Sequence, residues 1–466
     1  MLTAGITRGV RHLPALLIAI TVAACAKKEG TSTTDTSAAS STAAANTVAC
    51  APDNGGLTLP QGFCATVFAD TIGHARHITV GANGDVYVNT WSGKYFTGPT
   101  HPGGFLVALR DTNNDGKADI IKRFGPDVSR KNEGGTGVGL YKGALYAEEG
   151  DTIAKRIVRY AISTDSMTPT AAAEVIVGGL PAGGGHPMHP FVIDGSGNIF
   201  MDVGSASNSC QLKERTLESP GHKPCTELQT RAGIWKYDAN KTNQRFSAAG
   251  RYATGIRNAV GIALDPGGQL YSTQHGRDQL AENWPKLFTP EQGQNLPAEE
   301  LLRINQGDDY GWPYCYYDGQ QQKLVLAPEY GGDGKVVGEC ASKKAPEAYF
   351  PAHWAPDGLL FYTGSQFPAR YKGGAFIAFH GSWNRAPAAQ QGYQVAFVPY
   401  ASGKPTGASQ FETFANGFAG GPLTAASSDQ AKHRPVGLAQ GPDGSIYVTD
   451  DKGGRVWKVV YRGTAK

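Results

Sequence analysis

One local pattern recurs along the chain and restricts what it can fold into: a turn rich in Gly, Asp or Asn, followed at once by an apolar and aromatic strand. It stands at Ala82-Asn83-Gly84-Asp85-Val86-Tyr87-Val88, Tyr141-Lys142-Gly143-Ala144-Leu145-Tyr146 and Gly195-Ser196-Gly197-Asn198-Ile199-Phe200. It returns at Pro266-Gly267-Gly268-Gln269-Leu270-Tyr271, Tyr371-Lys372-Gly373-Gly374-Ala375-Phe376 and Pro442-Asp443-Gly444-Ser445-Ile446-Tyr447. Six hairpins of one kind, mostly roughly 55 to 70 residues apart, predict radial repetition of small antiparallel sheets. The expected fold class is all-β, a six-bladed β-propeller, with a pair of β-sandwiches as the alternative. The 62 glycines and 28 prolines against 4 methionines agree with a chain of strands and turns. The wide gap between Tyr271 and Phe376 holds an insertion at about residues 277–347.

Ahead of the first repeat the chain has another character. Arg8 and Arg11 precede an apolar run from Leu13 to Ile20 and then Val22-Ala23-Ala24-Cys25, which is the layout of an export signal. Small residues before a cysteine resemble the bacterial lipobox, so Cys25 is expected to carry lipid and to anchor the protein in the cell envelope. Ala26 in the next place favours the outer membrane, facing the periplasm. A plain secretory signal or a spanning anchor are the alternatives, although the apolar stretch is short for a span. Residues 26–46 are mainly Ser, Thr, Ala, Lys and Glu and predict a flexible tether, with the propeller occupying 47–466.

The remaining six cysteines fall as neighbours along the chain, and in an exported protein an even number points to disulfides. Sequential pairing, Cys50–Cys64, Cys210–Cys225 and Cys315–Cys340, is the expectation among the 15 connectivities that six cysteines allow. No Cys-x-x-Cys-His is present, so no c-type haem is attached. A formal net charge of +3, with no basic run interleaved with aromatics, gives no reason to expect a nucleic-acid partner.

The stretch that reads most like an active site is Gly183–Asn208. Gly183-Gly184-Gly185 lead into His186-Pro187-Met188-His189-Pro190, then an apolar run Phe191-Val192-Ile193, a turn, and Ile199-Phe200-Met201. Glycines let the backbone pass where a side chain would block a ligand, and Pro187 biases His186 toward an extended path. The arrangement aims an imidazole into a cavity; two ordinary loop histidines are the plainer reading.

The insertion contains Pro297-Ala298-Glu299-Glu300-Leu301-Leu302-Arg303, read as a short helix, and the aromatic run Tyr310-Gly311-Trp312-Pro313-Tyr314-Cys315-Tyr316-Tyr317. That run lines either a surface for a ring-shaped ligand such as a sugar or a small core stapled by Cys315 and Cys340. Asp111, Asn113, Asp115 and Asp119 alternate around Gly116 like the first half of a calcium-binding EF-hand loop, but Lys122 stands where the bidentate glutamate belongs. A second calcium site and a polar hairpin tip both remain open there.

Three stretches together carry a family resemblance. Gly255-Ile256-Arg257-Asn258-Ala259-Val260-Gly261-Ile262-Ala263 with the later His275-Gly276, then Tyr310-Gly311-Trp312-Pro313, and the segment from Gly185-His186 to Gly204 resemble the soluble sugar dehydrogenases that use pyrroloquinoline quinone (PQQ). The glucose/sorbosone dehydrogenase branch looks nearest, over residues 57–461. The resemblance implies a six-bladed propeller, in agreement with the hairpin count. It also implies oxidation of an aldose, a sorbosone-like sugar or a related polyol, with hydride passing to the quinone and electrons leaving to a separate cytochrome or quinone carrier.

Carried onto this sequence, the resemblance makes His186 the general base, a role that suits an imidazole near neutral pH. Arg257 and Asn258 become contacts to the quinone oxygens, Arg257 also stabilising the negative charge that grows there. Lys432 and Arg434, on the same side of an extended chain, become the pair that meets the cofactor's carboxylates, with Arg385 as a third cation. The carbonyls of Gly276 and Arg277 become calcium ligands, and His275 a cofactor contact where an amide is common. The region after His189 lacks a basic residue that the family often has. Two other functions stay in view: a propeller that binds carbohydrate without redox chemistry, and a calcium-dependent lactonase.

Overall fold

Each of the six turn–strand repeats becomes the hairpin between the first and second strands of one sheet. The protein is described by a computed structural model at residues 48–93, 101–127, 133–421 and 424–463. The expected leader with its lipidated Cys25, and the tether at 26–46, lie outside the described residues.

The first blade runs Ala75–Val80, Val86–Thr90, Leu106–Arg110 and Ile120–Phe124. The second opens with Val138–Tyr141, the third with Phe191–Ile193, the fourth with Ile262–Leu264, the fifth with Pro356–Phe361 and the sixth with Pro435–Gln440. These opening strands touch one another in that order and the sixth returns to the first, so they form a closed ring around an axis. Closure leaves no inner sheet edge open to pair with another chain. The ring is locked by chain ends that lie far apart in sequence: Phe63–Ala69 pairs antiparallel with Val456–Tyr461 and supplies the outer strand of the sixth blade. The fold is a six-bladed β-propeller, and the sandwich alternative falls away.

Neighbouring opening strands approach closely near the axis, and glycine is what permits it. A Cβ on Gly358 would lie 2.1 Å from the carbonyl oxygen of Val436, and one on Gly437 would lie 2.5 Å from that of Arg76. Between blades the core is aliphatic and aromatic. Phe63, Tyr371, Phe376 and Phe414 interlock edge to face where the fifth and sixth blades meet.

The stretch expected as a helix at Pro297–Arg303 is not one. Glu299–Arg303 is the third strand of the fourth blade, paired with Leu270–Gln274 on one side and Ala348–Phe350 on the other. Helix-favouring residues yield here because the ladder consumes their backbone groups and both glutamates find partners: Glu299 accepts the N–H groups of Gly276 and Ala355, and Glu300 accepts the amide of Gln274. The insertion's helices are instead Leu280–Asn283 and Pro290–Asn295, the latter started by a capping box between Thr289 and Gln292.

The aromatic run of the insertion forms a small core rather than a ligand surface. Trp312, Tyr316 and Tyr317 are buried, and Trp312 packs on Cys210 and Cys225. All three sequential disulfides are present.

The loop at 111–119 forms a hairpin tip that makes several hydrogen bonds within itself. Asp111 accepts from the Gly116 N–H, Asn113 from the Asp115 N–H, and Asp119 from both the N–H and the hydroxyl of Thr112. The chain then returns into Ile120–Phe124, where Lys122 sits opposite Ala108, and Asp111 Oδ1 is buried with no partner among the described residues. Among the described residues no three His, Cys, Asp or Glu side chains gather to hold a metal, and no helix is long and apolar enough to cross a membrane.

Candidate functional site: an axial basin with a neutral imidazole and buried cations

The segments that enter the opening strands and leave the second strands converge on one end of the propeller axis. Between them lies a cavity of about 1060 Å³. His186, Arg257, Asn258, His275, Gly276 and Arg434 all line it. Residues up to 248 positions apart in the chain, counting from His186 to Arg434, are thus brought to one basin by the radial repeat.

His186 is seated by its neighbours. Gly185 donates its N–H to Ala206, and a Cβ on Gly204 would stand 2.6 Å from the His186 Cβ, so the glycines make the space the ring occupies. The ring's Nδ1 lies 2.9 Å from the Ser205 carbonyl and 3.0 Å from the Ser205 hydroxyl. That hydroxyl spends its own proton on the Ser207 carbonyl, so both Ser205 oxygens act as acceptors toward the ring. Nδ1 therefore carries the hydrogen, and Nε2 presents a lone pair. Burial, and then the nearby Arg257 charge, hold the imidazole well below the ordinary histidine value, so it is neutral and ready to accept a proton.

Arg257 is 3% exposed and clamped on three sides. Its Nε donates to the Asn208 carbonyl at 3.0 Å, its Nη2 to the Asn208 side-chain oxygen at 2.9 Å, and its Nη1 to the Gly276 carbonyl at 2.9 Å. Asp278 pairs with it at 3.1 Å. Burial would raise the Asp278 carboxyl, but the charges of Arg257 and Arg215 outweigh it and hold the group well below the usual carboxylate range. The adjacent Asn258 is buried, and its Oδ1 has no partner among the described residues, an open hydrogen-bonding position beside the clamp.

The floor of the basin is a second charged cluster. Arg76 Nη1 reaches Asp451 at 2.6 Å and Asp357 at 3.2 Å, while His275 meets Asp357 at 3.0 Å and His380 meets Asp451 at 2.8 Å. Burial lowers the histidine value of His275, but Asp357 outweighs it and the net shift is upward. The basin thus holds one imidazole kept neutral and another biased toward its cation.

Two expected residues fall elsewhere. Arg385 turns away from the basin and donates to the Gln294 carbonyl. Lys432 is exposed beside Gly420 and does not line the basin. The same-side argument failed because regular strand begins only at Pro435; ahead of it the chain turns through Ser428–Gln430 and buries His433. Arg277 sends its side chain into a buried pair with Glu329 behind the basin wall, leaving only its backbone for any ligand.

Other basin residues carried no sequence signal strong enough to single them out. Asn208 closes the His186 stretch, Asp278 follows His275-Gly276-Arg277, and Trp383 precedes Arg385 in the chain. Each is one to three positions from a residue that was singled out or ends the stretch that was. Arg76, Arg215 and Lys452 gave no local hint at all.

The six-bladed β-propeller has the architecture of the quinone-dependent soluble sugar dehydrogenases. A family model described as TrAA12-like matches residues 57–462, and the chain belongs to that family. An uncharacterised protein of Borreliella burgdorferi is 34% identical over 213 residues, 45% of this chain and 48% of that protein. A pyrroloquinoline quinone-dependent pyranose dehydrogenase of Coprinopsis cinerea is 29% identical over 234 residues, 44% of this chain and 30% of that protein. The matches thus span half or less of these relatives' lengths. Among solved structures, the holo form of the Coprinopsis cinerea pyranose dehydrogenase PQQ domain superposes with a TM-score of 0.65 at 20% identity, covering 87% of this chain and 97% of that one. The calcium structure of the Trichoderma reesei family AA12 enzyme gives 0.67 at 19% identity, covering 87% and 97%. At those identities the likeness is one of fold.

Proposed function

We propose that the protein is a PQQ-dependent dehydrogenase that oxidises a hydroxyl of an aldose in its pyranose form, a sorbosone-like sugar or a related polyol. The observation that carries the reading is the neutral His186, its Nε2 lone pair free by virtue of Ser205, sharing one basin with the clamped Arg257 and the open Asn258.

The residues fit the cofactor. PQQ is a planar tricarboxylate, and the basin offers fixed cations beside the buried amide of Asn258. When bound, the cofactor supplies an ortho-quinone as the acceptor of a hydride. His186 takes the proton of the reacting hydroxyl on Nε2. Arg257, already rigid and paired with Asp278, keeps its guanidinium in place without reorganising when negative charge develops in the basin. Asn258 orients through its amide. His275 stands at 3.0 Å from Asp357, which biases it toward its cation. Trp383, 53% exposed on the basin wall, presents an indole face suited to the C–H surface of a pyranose. Calcium, where bound, would be held by the carbonyls of Gly276 and Arg277, since among the described residues no three His, Cys, Asp or Glu side chains gather to hold a metal. Electrons leave to an external carrier. The leader and Cys25 support an exported protein held by lipid in the envelope, facing the periplasm.

The test is reconstitution. Purified apoprotein receives PQQ and calcium, separately and together, and dye reduction is followed across a panel of aldoses and polyols. Turnover that requires the quinone supports the reading. Hydrolysis of lactones without quinone would select the calcium lactonase instead, and sugar binding without turnover would select a carbohydrate-binding propeller.

A further inference from the structure

The cations of the basin are of two kinds. Arg76 is neutralised by Asp357 and Asp451, and Arg257 and Arg215 share Asp278 at 3.1 and 2.8 Å. Those positive charges are already answered by carboxylates. Arg434 and Lys452 also line the basin, and among the described residues neither has a carboxylate within ion-pair distance. Arg434 donates instead to the carbonyls of His380 at 3.0 Å and Gly381 at 2.6 Å. Lys452 donates to those of Asp429 and Ala431, each at 2.5 Å. Even Asp429, which also lines the basin, gives Lys452 its carbonyl. A carbonyl solvates a cation without cancelling its charge, so Arg434 and Lys452 are the basin cations that keep a charge with no carboxylate at ion-pair distance among the described residues.

The two residues are also built as a unit. They flank the open end of the sixth blade's first hairpin, one before Pro435 and one after Asp450, and the backbone N–H groups of Arg434 and Lys452 donate to the same oxygen of Asp450, at 2.8 and 3.0 Å. The other Asp450 oxygen takes the Gly453 N–H and the His433 ring. One buried carboxylate thereby fixes where both cations start.

We propose that Lys452 and Arg434 form the anion seat of the basin, receiving a carboxylate of the planar cofactor, so that Lys452 fills the place the sequence pattern gives to Lys432. This rests on the PQQ reading above and adds which residues hold the anion. A tricarboxylate in a basin whose other arginines are already paired needs unneutralised charge, and this wall supplies it.

The experiment titrates PQQ into full-length apoprotein and reads quenching of tryptophan fluorescence, at several salt concentrations. Lys452→Met is expected to weaken binding at least tenfold and to flatten its salt dependence, Lys452→Arg to restore most of both, and Lys432→Met to match the wild type. Wild-type binding with an unchanged Lys452→Met overturns this inference alone. Failure of the wild type to bind PQQ overturns the functional reading beneath it. A measurement without substitution guards against misfolding: PQQ should protect Lys452 of the wild type from acetylation, read by peptide mass spectrometry, and leave Lys432 unprotected. Equal labelling of Lys452 with and without PQQ overturns the seat.

Discussion

The Nδ1 of His186 lies between two oxygens of Ser205, 2.9 Å from the carbonyl and 3.0 Å from the hydroxyl. The carbonyl would suffice to fix the tautomer. The hydroxyl adds a second acceptor whose direction is set by its own bond to Ser207, and Ser207 is in turn held through N–H and hydroxyl by Glu227. The ring is therefore braced by a local chain of hydrogen bonds, not by a carboxylate, which is consistent with an imidazole kept neutral.

Replacing the base should separate chemistry from binding. His186→Asn keeps a polar side chain of smaller reach but no basic nitrogen, so kcat should fall by about 10²- to 10⁴-fold. PQQ affinity, carried by groups on other walls, should change only a few-fold. Stopped-flow dye reduction beside a fluorescence titration measures both. Because the wild-type imidazole lies below the ordinary histidine value, the base is lost only as pH falls through that lowered pKa, and the acid limb of kcat/KM should appear below about pH 6.5.

Ser205→Ala tests the brace. It removes one of two acceptors and leaves the carbonyl, a loss of about 1 kcal/mol and roughly fivefold in kcat. The protonated ring loses a partner too, so the acid limb should move lower still. An unchanged pH profile would show that the hydroxyl does not act on the ring.

What could be read from the chain in advance follows from range. The six hairpins were legible because turn chemistry and strand alternation are local, and each is complete within about seven residues. His186, Arg257 and Asn258 were legible because short segments frame them. Arg76 was not: its partners Asp357 and Asp451 are 281 and 375 positions away, and nothing near Arg76 marks it. Lys432 and Glu299-Glu300 misled for the opposite reason. Local pattern suggested a strand face and a helix, while a turn before Pro435 and a ladder in the fourth blade decided the outcome.

The Cys210–Cys225 bridge should matter to the site as well as to stability. It closes a loop with a sequence separation of 15, for which chain entropy suggests about 3 kcal/mol. The same excursion carries Arg215 and follows directly on Asn208, which holds Arg257 by two hydrogen bonds. A Cys210→Ala/Cys225→Ala double variant should melt lower and bind PQQ more weakly. Removing Cys315–Cys340, which staples the insertion's own core, should lower the melting temperature with less effect on cofactor affinity. Calorimetry with a parallel PQQ titration distinguishes the two.

Asp202 gives the protein a stability term that runs against the usual carboxylate trend. It is 0% exposed on the second strand of the third blade, and burial pushes its carboxyl up to about 8. The nearby charge of Glu148 adds to the rise, while His275 opposes it. The folded protein thus keeps a proton on Asp202 that the unfolded chain releases near the ordinary value of about 3.9. Between those values the unfolded state binds fewer protons, so stability falls as pH rises, by up to about 1.4 kcal/mol per pH unit, and levels off above the folded value. Asp278, Asp357 and Asp451 act in the opposite sense. Burial alone would raise them, but basic neighbours depress them, and their contribution is lost only as pH falls below the ordinary carboxylate range. Asp202→Asn, close in shape and without a titrating proton, should therefore melt with a flatter pH dependence than the wild type between about pH 5 and 8, and the gap should widen toward the alkaline end. Melting curves at constant ionic strength check it; parallel curves for the two proteins would mean that Asp202 is already ionised inside the folded propeller.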